Sequence, residues 1–350
     1  MAILTKPCVL YPEYSLFSND ILRFIELFHP YSPHRSNAEK MIQNTTIKER
    51  KTCLPFNEIL QLNGFADRQK KYENFARNYS TDAAKKALEF SGLNREDITM
   101  VIAVSCTGFM MPSLTAHLIN SLDLNLNTTQ LPVAQMGCVA GAYAINRAYE
   151  HTKLSQKNNV LIVALEASSL CFDSQADKLQ DFVSDSIFGD GVASVVMKGR
   201  DEGSGLIITD SESIFLKDTE NYIEYEMTDK GFLFSLDKKV MYSIVKVAPY
   251  LGDFIRRNIK ELNDIDFVIS HTGGKRILDE LETHLELGVC KLQHSRDSLR
   301  EYGNTSSVSV IDVLYRHFSS TNHGERGILV AFGPGFTAEA LFGKWQVEYN

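Results

Sequence analysis

Short apolar runs alternate with amphipathic stretches along the chain. Four runs of strand length end in polar or glycine residues: ITMVIAVSCTG, NVLIVALEASS, DFVISHTGG and GILVAFGPG. The stretches between them, such as NYSTDAAKKALEFSGL and GKRILDELETHLEL, carry apolar residues at helical spacing. Buried strands that alternate with helices are typical of βαβ units. The pattern therefore predicts an α/β protein whose largely parallel sheet is covered by helices.

The same order of elements recurs in two parts of the chain. The first part contains VIAVSCTG, a helix that begins near Cys138, VLIVALE and FGDGVASVVM; the second contains DFVISHTGG, a helix that begins near Asn304, GILVAFGPG and FTAEALF. We therefore predict two matching halves, residues 1–200 and 201–350, that share one core. Since α/β proteins bind ligands at the carboxyl ends of their strands, we expect Cys138, Asn304 and His271 to converge where the halves meet.

Composition excludes several classes of function. A net charge of −8 without any basic block argues against general nucleic-acid binding. The six cysteines are dispersed without a CxxC pair, which fits a reducing compartment better than a disulfide framework or a zinc site. No apolar run approaches the roughly 18 residues of a membrane span. The first residues show no signal-peptide pattern, so we expect a cytoplasmic protein that binds neither membrane nor metal.

Cys138 is isolated in the segment AQMGCVAGAYAINRAYEH, where small residues surround it. The apolar spacing that follows predicts a helix that begins just after this cysteine. Unpaired backbone N–H groups and the positive end of the helix dipole would then lower the pKa of its thiol below the free value of about 8.5. The alternative is a small buried apolar side chain, the common state of a free cysteine.

Two polar residues are candidate partners of Cys138. His271 ends the apolar strand DFVIS and precedes two glycines, although a lone histidine is more often structural. Asn304 lies in EYGNTSS, where a turn or a helix cap is the alternative interpretation. Together the three residues supply a thiol nucleophile, an imidazole and an amide donor, which is the chemistry that acyl transfer requires.

Four segments, MGCVAGAYA, SHTGG, EYGNTSS and FGPGFTAE, resemble the signature segments of the type III polyketide synthases, the chalcone synthase family. They follow in the family's order, and the resemblance covers nearly the whole chain. It implies a homodimer with a thiolase-type fold, in which duplicated βαβαβ halves form a layered αβαβα body. It further implies a catalytic triad of Cys138, His271 and Asn304. The implied substrates are malonyl-CoA and acyl-CoA starters, with no metal or organic cofactor.

The resemblance assigns further residues to the site. Phe188 and Phe234 match two gatekeeper phenylalanines between the CoA tunnel and the cavity, with core packing as the alternative. The residues that match the substrate cavity are Cys106, Met111, Ser168, Cys171, Tyr225 and Ser306. Among them, Met111 matches the methionine that reaches into the partner subunit's cavity. Glu166 matches a family glutamate that we interpret as structural.

The cavity residues depart from the plant members of the family at three positions. Cys106 and Cys171 stand where those enzymes have threonines, and Tyr225 aligns with a glycine. We therefore expect Tyr225 to narrow the cavity and to disfavour a bulky aromatic starter.

The residues at the CoA-binding positions differ further from those of the plant enzymes. Lys40 matches an arginine, but Asn37 and Asn44 stand where the plant enzymes have lysines. Lys275 and Arg276, which follow the SHTGG segment, are the candidate replacements as phosphate donors. A solvated charge pair is the equally weighted alternative for these two residues.

Further segments, among them SCTGFMMPSLTAHLIN and GFLFSLDKKVM, are most similar to the bacterial branch that builds 1,3,5-trihydroxybenzene from malonyl-CoA alone. We therefore expect iterative decarboxylative condensation on Cys138, followed by Claisen cyclisation. One alternative is a type III synthase that makes alkylpyrones from longer acyl-CoA starters, and another is a condensing enzyme of the ketoacyl-ACP synthase III kind. A catalytically silent partner with the same fold is a third, and the retained triad argues against it.

Overall fold

The computed structural model describes residues 1–288 and 290–348. The strands, numbered β1 to β14, are Ala2–Leu4, Cys8–Leu10, Tyr14–Phe17, Glu49–Thr52, Met100–Val104, Thr129–Val133, Val160–Glu166, Gly191–Lys198, Gly205–Phe215, Ile223–Thr228, Gly231–Leu236, Phe267–Ser270, Arg326–Gly333 and Thr337–Gln346. The helices, numbered α1 to α11, are Ser18–Phe28, Arg35–Asn44, Phe56–Ile59, Gly64–Ser91, Leu114–Leu122, Ala140–Leu154, Leu179–Ile187, Ser243–Asn258, Lys275–His284, Gln293–Tyr302 and Ser309–His317.

One ten-stranded sheet runs through the described residues in the order β12-β13-β14-β9-β1-β8-β7-β5-β6, and β2 also pairs with β8. From one outer edge, β6, β5 and β7 are parallel and β8 is antiparallel to β7. From the other edge, β12 and β13 are parallel and β14 is antiparallel to β13. Strands β1 and β9 pair in the middle. Apart from the additional edge strand β6, the two parts of the described sheet repeat one pattern, a parallel pair followed by an antiparallel strand.

The prediction of a largely parallel sheet is wrong. Among the described strands of the large sheet, only β5 with β6, β5 with β7, and β12 with β13 are parallel pairs. The short connection from β13 to β14 explains why this pair is antiparallel, because only residues 334–336 separate the two strands. A parallel crossover needs a dozen or more residues, so this connection enforces an antiparallel pair.

Helices and strands form the predicted αβαβα layers. Helices α4 and α5 pack on one outer face, against apolar residues of β5, β7 and β8. Helices α6 and α11 lie in the centre, in contact with the opposite face of those strands and with β12 to β14. Helices α8 and α9 cover the far side of β12 to β14. Because each central strand is covered on both faces, β7 is buried at every residue.

The two central helices begin very close together. A Cβ atom added at Gly141, in the first turn of α6, would lie 2.2 Å from the carbonyl oxygen of Ser307. Ser307 belongs to the short turn Ser306–Val308 that leads into α11. Only glycine permits this approach, which brings the start of α6 against the start of α11.

No helix within residues 1–288 and 290–348 combines the length and the apolar character that crossing a membrane requires.

Gly141 and Gly252 give a matched pair of helix substitutions with opposite expected effects. We expect Gly141→Ala to lower the free energy of unfolding by roughly 1–3 kcal/mol, because backbone must move to accept the methyl group. We expect Gly252→Ala in α8 to raise it by about 1 kcal/mol, since its Cβ would meet only the side chain of Arg256, at 3.3 Å. Denaturant unfolding of both variants measures the two changes. A Gly141→Ala protein as stable as the parent would contradict the close approach.

Candidate active site

Cys138 lies at the centre of the shared core, in the short turn Gly137–Val139 that leads into α6. Asn304 lies just after α10, where Gly303 has a φ of 70° that favours glycine. The backbone of Asn304 donates to the carbonyl of Ile187 at 2.9 Å and accepts from Gly189 at 3.1 Å. These bonds fix Asn304 beside the end of α7.

The amide of Asn304 faces the sulfur of Cys138. Its Nδ2 atom donates to Cys138 Sγ at 3.5 Å. Its Oδ1 atom accepts from the backbone N–H of Ser306 at 2.8 Å, which fixes which end of the amide faces the thiol. The predicted meeting of Cys138 and Asn304 is therefore a direct contact, with the donor side of the amide turned toward the sulfur.

His271 is buried at the end of β12. Its Nδ1 atom accepts from the backbone N–H of Phe332 at 3.4 Å, so the neutral ring carries its proton on Nε2. The neighbouring Thr272 donates to the carbonyl of Gly303 at 2.9 Å, which ties the histidine segment to the asparagine segment. On the other side, a Cβ atom at Gly333 would lie 2.8 Å from the backbone nitrogen of Val139. The contacts of Thr272 and Gly333 thus place His271 beside the segments that carry Asn304 and Cys138.

Burial governs the charge of the site. It raises the pKa of the Cys138 thiol to about 11, although the hydrogen bond from Asn304 acts in the opposite direction. Burial also lowers the pKa of His271 to about 3. The expected lowering of the thiol pKa is therefore wrong, because desolvation outweighs the favourable position at a helix start. At neutral pH both groups are favoured in their neutral forms.

A cavity of about 330 Å³ opens in front of Cys138. Its wall includes the predicted residues Cys106, Ser168, Phe188, Tyr225, Phe234 and Ser306, together with Thr107, Gln135, Gly137, Ile223, Glu224, Leu236 and Pro334. The rings of Phe188 and Phe234 have centroids 5.9 Å apart, and the ring of Tyr225 meets Phe234 edge-on at 5.8 Å. These three rings form one wall of the space above the thiol.

A larger cavity of about 740 Å³ adjoins the first and shares Ser168, Phe188, Glu224, Tyr225 and Phe234 with it. The three rings therefore lie at the junction between the two spaces. Cys171, predicted for the substrate cavity, lines the larger space, as does the opening turn of α7.

The family model for the N-terminal domain of chalcone and stilbene synthases matches residues 29–201, and that for the C-terminal domain matches residues 208–344. The chain belongs to the chalcone and stilbene synthase family. Its members include the type III polyketide synthases, acyltransferase-type enzymes that use CoA thioesters, and this chain is one of them.

Individual relatives agree with the family assignment. The chain is 47% identical over 347 residues to a phloroglucinol synthase from Pseudomonas fluorescens, covering 99% of each chain. It is 39% identical over 348 residues to a 1,3,6,8-tetrahydroxynaphthalene synthase from Streptomyces coelicolor, covering 99% of this chain and 93% of that protein. The crystal structure of the tetrahydroxynaphthalene synthase from Streptomyces coelicolor A3(2) superposes with a TM-score of 0.96 over 99% of this chain and all of that one.

Some residues predicted for the site of this type III polyketide synthase lie away from both cavities. Lys40 is exposed on α2. Lys275 pairs with Asp279 at 2.5 Å, and Arg276 pairs with Glu280 at 2.5 Å. The last two match the alternative interpretation, a solvated pair of charges on one helix face.

Met111 also lies away from both cavities of this chain. Its side chain is 88% exposed on the loop before α5.

Glu166 has a larger part in the site of this synthase than the structural role we assigned to it. Its buried carboxylate accepts from the backbone N–H of Cys106 at 3.1 Å and from Thr107 Oγ1 at 3.0 Å. It also accepts from the hydroxyls of Ser306 at 3.3 Å and Ser307 at 2.6 Å. The carboxylate thus joins cavity segments from both halves beneath the thiol. A glutamate at the end of the wholly apolar run VLIVALE is the sequence signal of such a role.

Among the described residues, no three or more His, Cys, Asp or Glu side chains are arranged to hold a metal ion.

Proposed function

We propose that the protein makes phloroglucinol, 1,3,5-trihydroxybenzene, from malonyl-CoA, with Cys138 as the nucleophile. The observation that carries the proposal is the Asn304 amide, which donates to Cys138 Sγ at 3.5 Å above a confined cavity. The 47% identity to a phloroglucinol synthase over almost the whole chain supports this product over other products of the family.

Loading of the enzyme is the first step. The sulfur of Cys138 attacks the thioester carbonyl of a malonyl- or acetyl-CoA, the C–S bond to CoA breaks, and the thiol proton ends on the leaving CoA sulfur. Asn304 Nδ2 and His271 Nε2 are both N–H donors, and we assign them to the oxyanion that develops on the carbonyl. The Phe332 N–H keeps the imidazole in the tautomer that this task requires.

Extension uses the same donors. The thioester carbonyl of the next malonyl-CoA takes their hydrogen bonds, so that loss of CO2 leaves an enolate rather than a free carbanion. The enolate carbon attacks the acyl group on Cys138, a C–C bond forms and the C–S bond to Cys138 breaks, which leaves the extended chain as a CoA thioester. Cys138 then attacks this thioester as in loading, CoA leaves with the thiol proton, and the chain is again held on Cys138. Phe188 and Phe234 exclude water from this step, because their rings close one wall above the thiol.

Ring closure ends the reaction. In a Claisen condensation the terminal carbon of the chain attacks the carbonyl held on Cys138, and the sulfur leaves. A cavity of about 330 Å³ in front of the thiol favours a short chain that folds back on itself.

The larger cavity supports a second candidate function. It adjoins the first at the three aromatic rings and has a volume of about 740 Å³, with Leu16, Phe56 and Ile59 on its apolar side. This space favours acceptance of longer acyl-CoA starters, which would yield alkylpyrones.

We also propose that two copies of the chain form a homodimer through the loop that carries Met111. Met111 is 88% exposed and Phe109 is 59% exposed, beside the edge strand β6 of the sheet. Exposed apolar side chains next to an unpaired strand edge favour contact with another protein surface.

Incubation of the pure protein with malonyl-CoA alone tests the main proposal. We expect phloroglucinol from the parent, identified by chromatography and NMR, and none from Cys138→Ala, which lacks the nucleophile. We expect His271→Ala and Asn304→Ala to lose roughly a hundredfold to a thousandfold in rate, because each removes one oxyanion donor.

Cys290→Ala is the matched control, since Cys290 is exposed and lies outside both cavities. Product formation by Cys138→Ala would disprove the nucleophile assignment. Release of lactones or pyrones alone by the parent would disprove the product.

Tyr225→Gly tests whether this ring limits the size of the substrate. Removal of the phenol ring from the junction of the two cavities leaves open volume. We expect the variant to accept larger acyl-CoA starters or to add further malonyl units, while the rate of malonyl-CoA decarboxylation stays near that of the parent. Product profiles from a series of acyl-CoA starters measure the change. Identical profiles for both proteins would remove Tyr225 from the determinants of substrate size.

Light scattering tests the dimer. We expect a mass about twice the 39.4 kDa of the chain. We expect Met111→Glu to reduce the mass toward that of one chain, because a charge would be buried in the contact. A fully active parent with the mass of a single chain would refute the dimer.

A further inference from the structure

Asp185 lies on the wall of the larger cavity, near its junction with the smaller one. It belongs to the last turn of α7, and the cavity-lining residues Asp181, Ser184, Asp185 and Phe188 recur at the spacing of one helix face. Phe188 also lines the smaller cavity in front of Cys138. The carboxyl group of Asp185 is therefore about one helical turn, roughly 5 Å along the axis, from the ring that separates the two spaces.

Among the side chains that the structure describes, none forms a hydrogen bond or ion pair with the carboxyl group of Asp185, whereas neighbouring acidic groups are engaged. Asp190 accepts from Cys53 N at 2.7 Å and from Ser169 N at 2.8 Å. Asp173 pairs with Lys230 at 3.1 Å.

The two nearby buried guanidinium groups are directed elsewhere. Arg50 Nε donates to the carbonyl of Ser186 at 2.6 Å, and Arg68 Nη1 donates to the carbonyl of Leu170 at 2.8 Å. Since Asp185 lines the cavity and neither arginine contacts it, its oxygen atoms are left for a molecule inside the cavity.

We propose that Asp185 is a specificity-determining residue whose carboxyl group donates a hydrogen bond to a ketone oxygen of the enzyme-bound polyketide. The inference rests on the proposed function, because it assumes a poly-β-ketone held on Cys138. The two cavities share five lining residues, among them Ser168 and Glu224, so a chain held on Cys138 can extend from the smaller space into the one that Asp185 lines.

The surroundings of Asp185 favour the neutral acid, which is a donor. Burial raises the pKa of this carboxyl group well above its ordinary value, and the negative charges of Asp181 and Asp173 raise it further. Arg68 and Arg50 act in the opposite direction with smaller effect. The other charged residues that line the same cavity are Asp177, Lys178, Glu224 and Glu226. A protonated carboxyl group supplies one O–H donor, and a carbonyl oxygen is its natural acceptor.

This hydrogen bond would decide between two ways of closing the chain. In carbocycle formation a C–C bond forms between a chain carbon and the carbonyl on Cys138, and the C–S bond breaks. In lactone formation the oxygen of an enolised ketone attacks the same carbonyl, an O–C bond forms and the same C–S bond breaks. A ketone oxygen that accepts a hydrogen bond from Asp185 is a weaker nucleophile, so the donor favours the carbocycle over the lactone.

Two substitutions separate the hydrogen bond from the shape of the side chain. Asp185→Asn keeps an N–H donor at the same position, and we expect the ratio of carbocycle to lactone to stay within about twofold of the parent. Asp185→Leu has similar bulk without a donor, and we expect the ratio to fall roughly three- to tenfold, as the loss of one hydrogen bond predicts. The two triketide products are isomers, so chromatography and NMR, rather than mass, measure the ratio.

The pH dependence gives a second readout that does not require the leucine variant to fold. As the pH rises through the pKa of Asp185, the carboxyl group ionises and stops donating, so the ratio for the parent should fall. Asp185→Asn has no carboxyl group to ionise at this position. Dividing the carbocycle-to-lactone ratio of the parent by that of the variant at each pH therefore removes the pH dependence that the free polyketide itself contributes. Asp177→Asn, on the wall of the same cavity, is the matched control and should keep the parent's ratio, since Asp177 pairs with His29 Nδ1 at 3.8 Å and lies outside α7.

Equal ratios for the parent and Asp185→Leu, or a quotient between parent and Asp185→Asn that is constant with pH, would overturn the inference. Failure of the proposed function would show differently, since the parent itself would then form no carbocycle from malonyl-CoA. Total CoA release, followed for every variant, separates a change in ring closure from a loss of turnover.

Discussion

The close approach of the two central helices is the constraint on which the site depends. Gly141 lets the first turn of α6 rest on the carbonyl of Ser307, and the turn before α11 then lies beside Cys138. The Asn304 amide is held by the Ser306 N–H on this turn, so its donor side meets the sulfur. Glu166 joins the same turn to the other half of the molecule. Cys138 and the amide that contacts it are therefore positioned by backbone and buried polar groups rather than by flexible side chains.

The burial that stabilises this arrangement also sets its chemistry. A thiol with a pKa near 11 and an imidazole with a pKa near 3 are both favoured as neutral groups. In the mechanism that we propose, an N–H donor on His271 and another on Asn304 act where negative charge develops, on the thioester oxygen. In a site of low dielectric constant such fixed donors stabilise the transition state more than they would in water.

Hydrophobic periodicity and the recurring order of elements predicted an α/β protein and the meeting of Cys138 with Asn304, because they report directly on buried strands and helix starts. The αβαβα layers were implied by the resemblance to the family. Strand direction was wrong for the hairpin of β13 and β14, since an apolar run has the same appearance in either direction. The thiol pKa was wrong because local sequence shows the helix start but not the depth of burial. Asp279 and Glu280 follow Lys275 and Arg276 by four residues in the sequence. A helix over this segment is therefore enough to favour the solvated ion pairs that the structure shows.

The three rings at the junction of the two cavities belong to differently supported parts of the fold. Phe188 follows α7, and its neighbours Ile187 and Gly189 both bond to the backbone of Asn304, so one aromatic ring is fixed beside the proposed oxyanion donor. Phe234 and Tyr225 lie on the hairpin of β10 and β11 instead, which pairs only with itself. One side of this junction is thus bonded to the segment that carries Asn304, and the other belongs to a two-stranded ribbon outside the large sheet. If Tyr225 limits substrate size as we propose, substitutions in the ribbon alter the size of the product without moving Cys138 or Asn304.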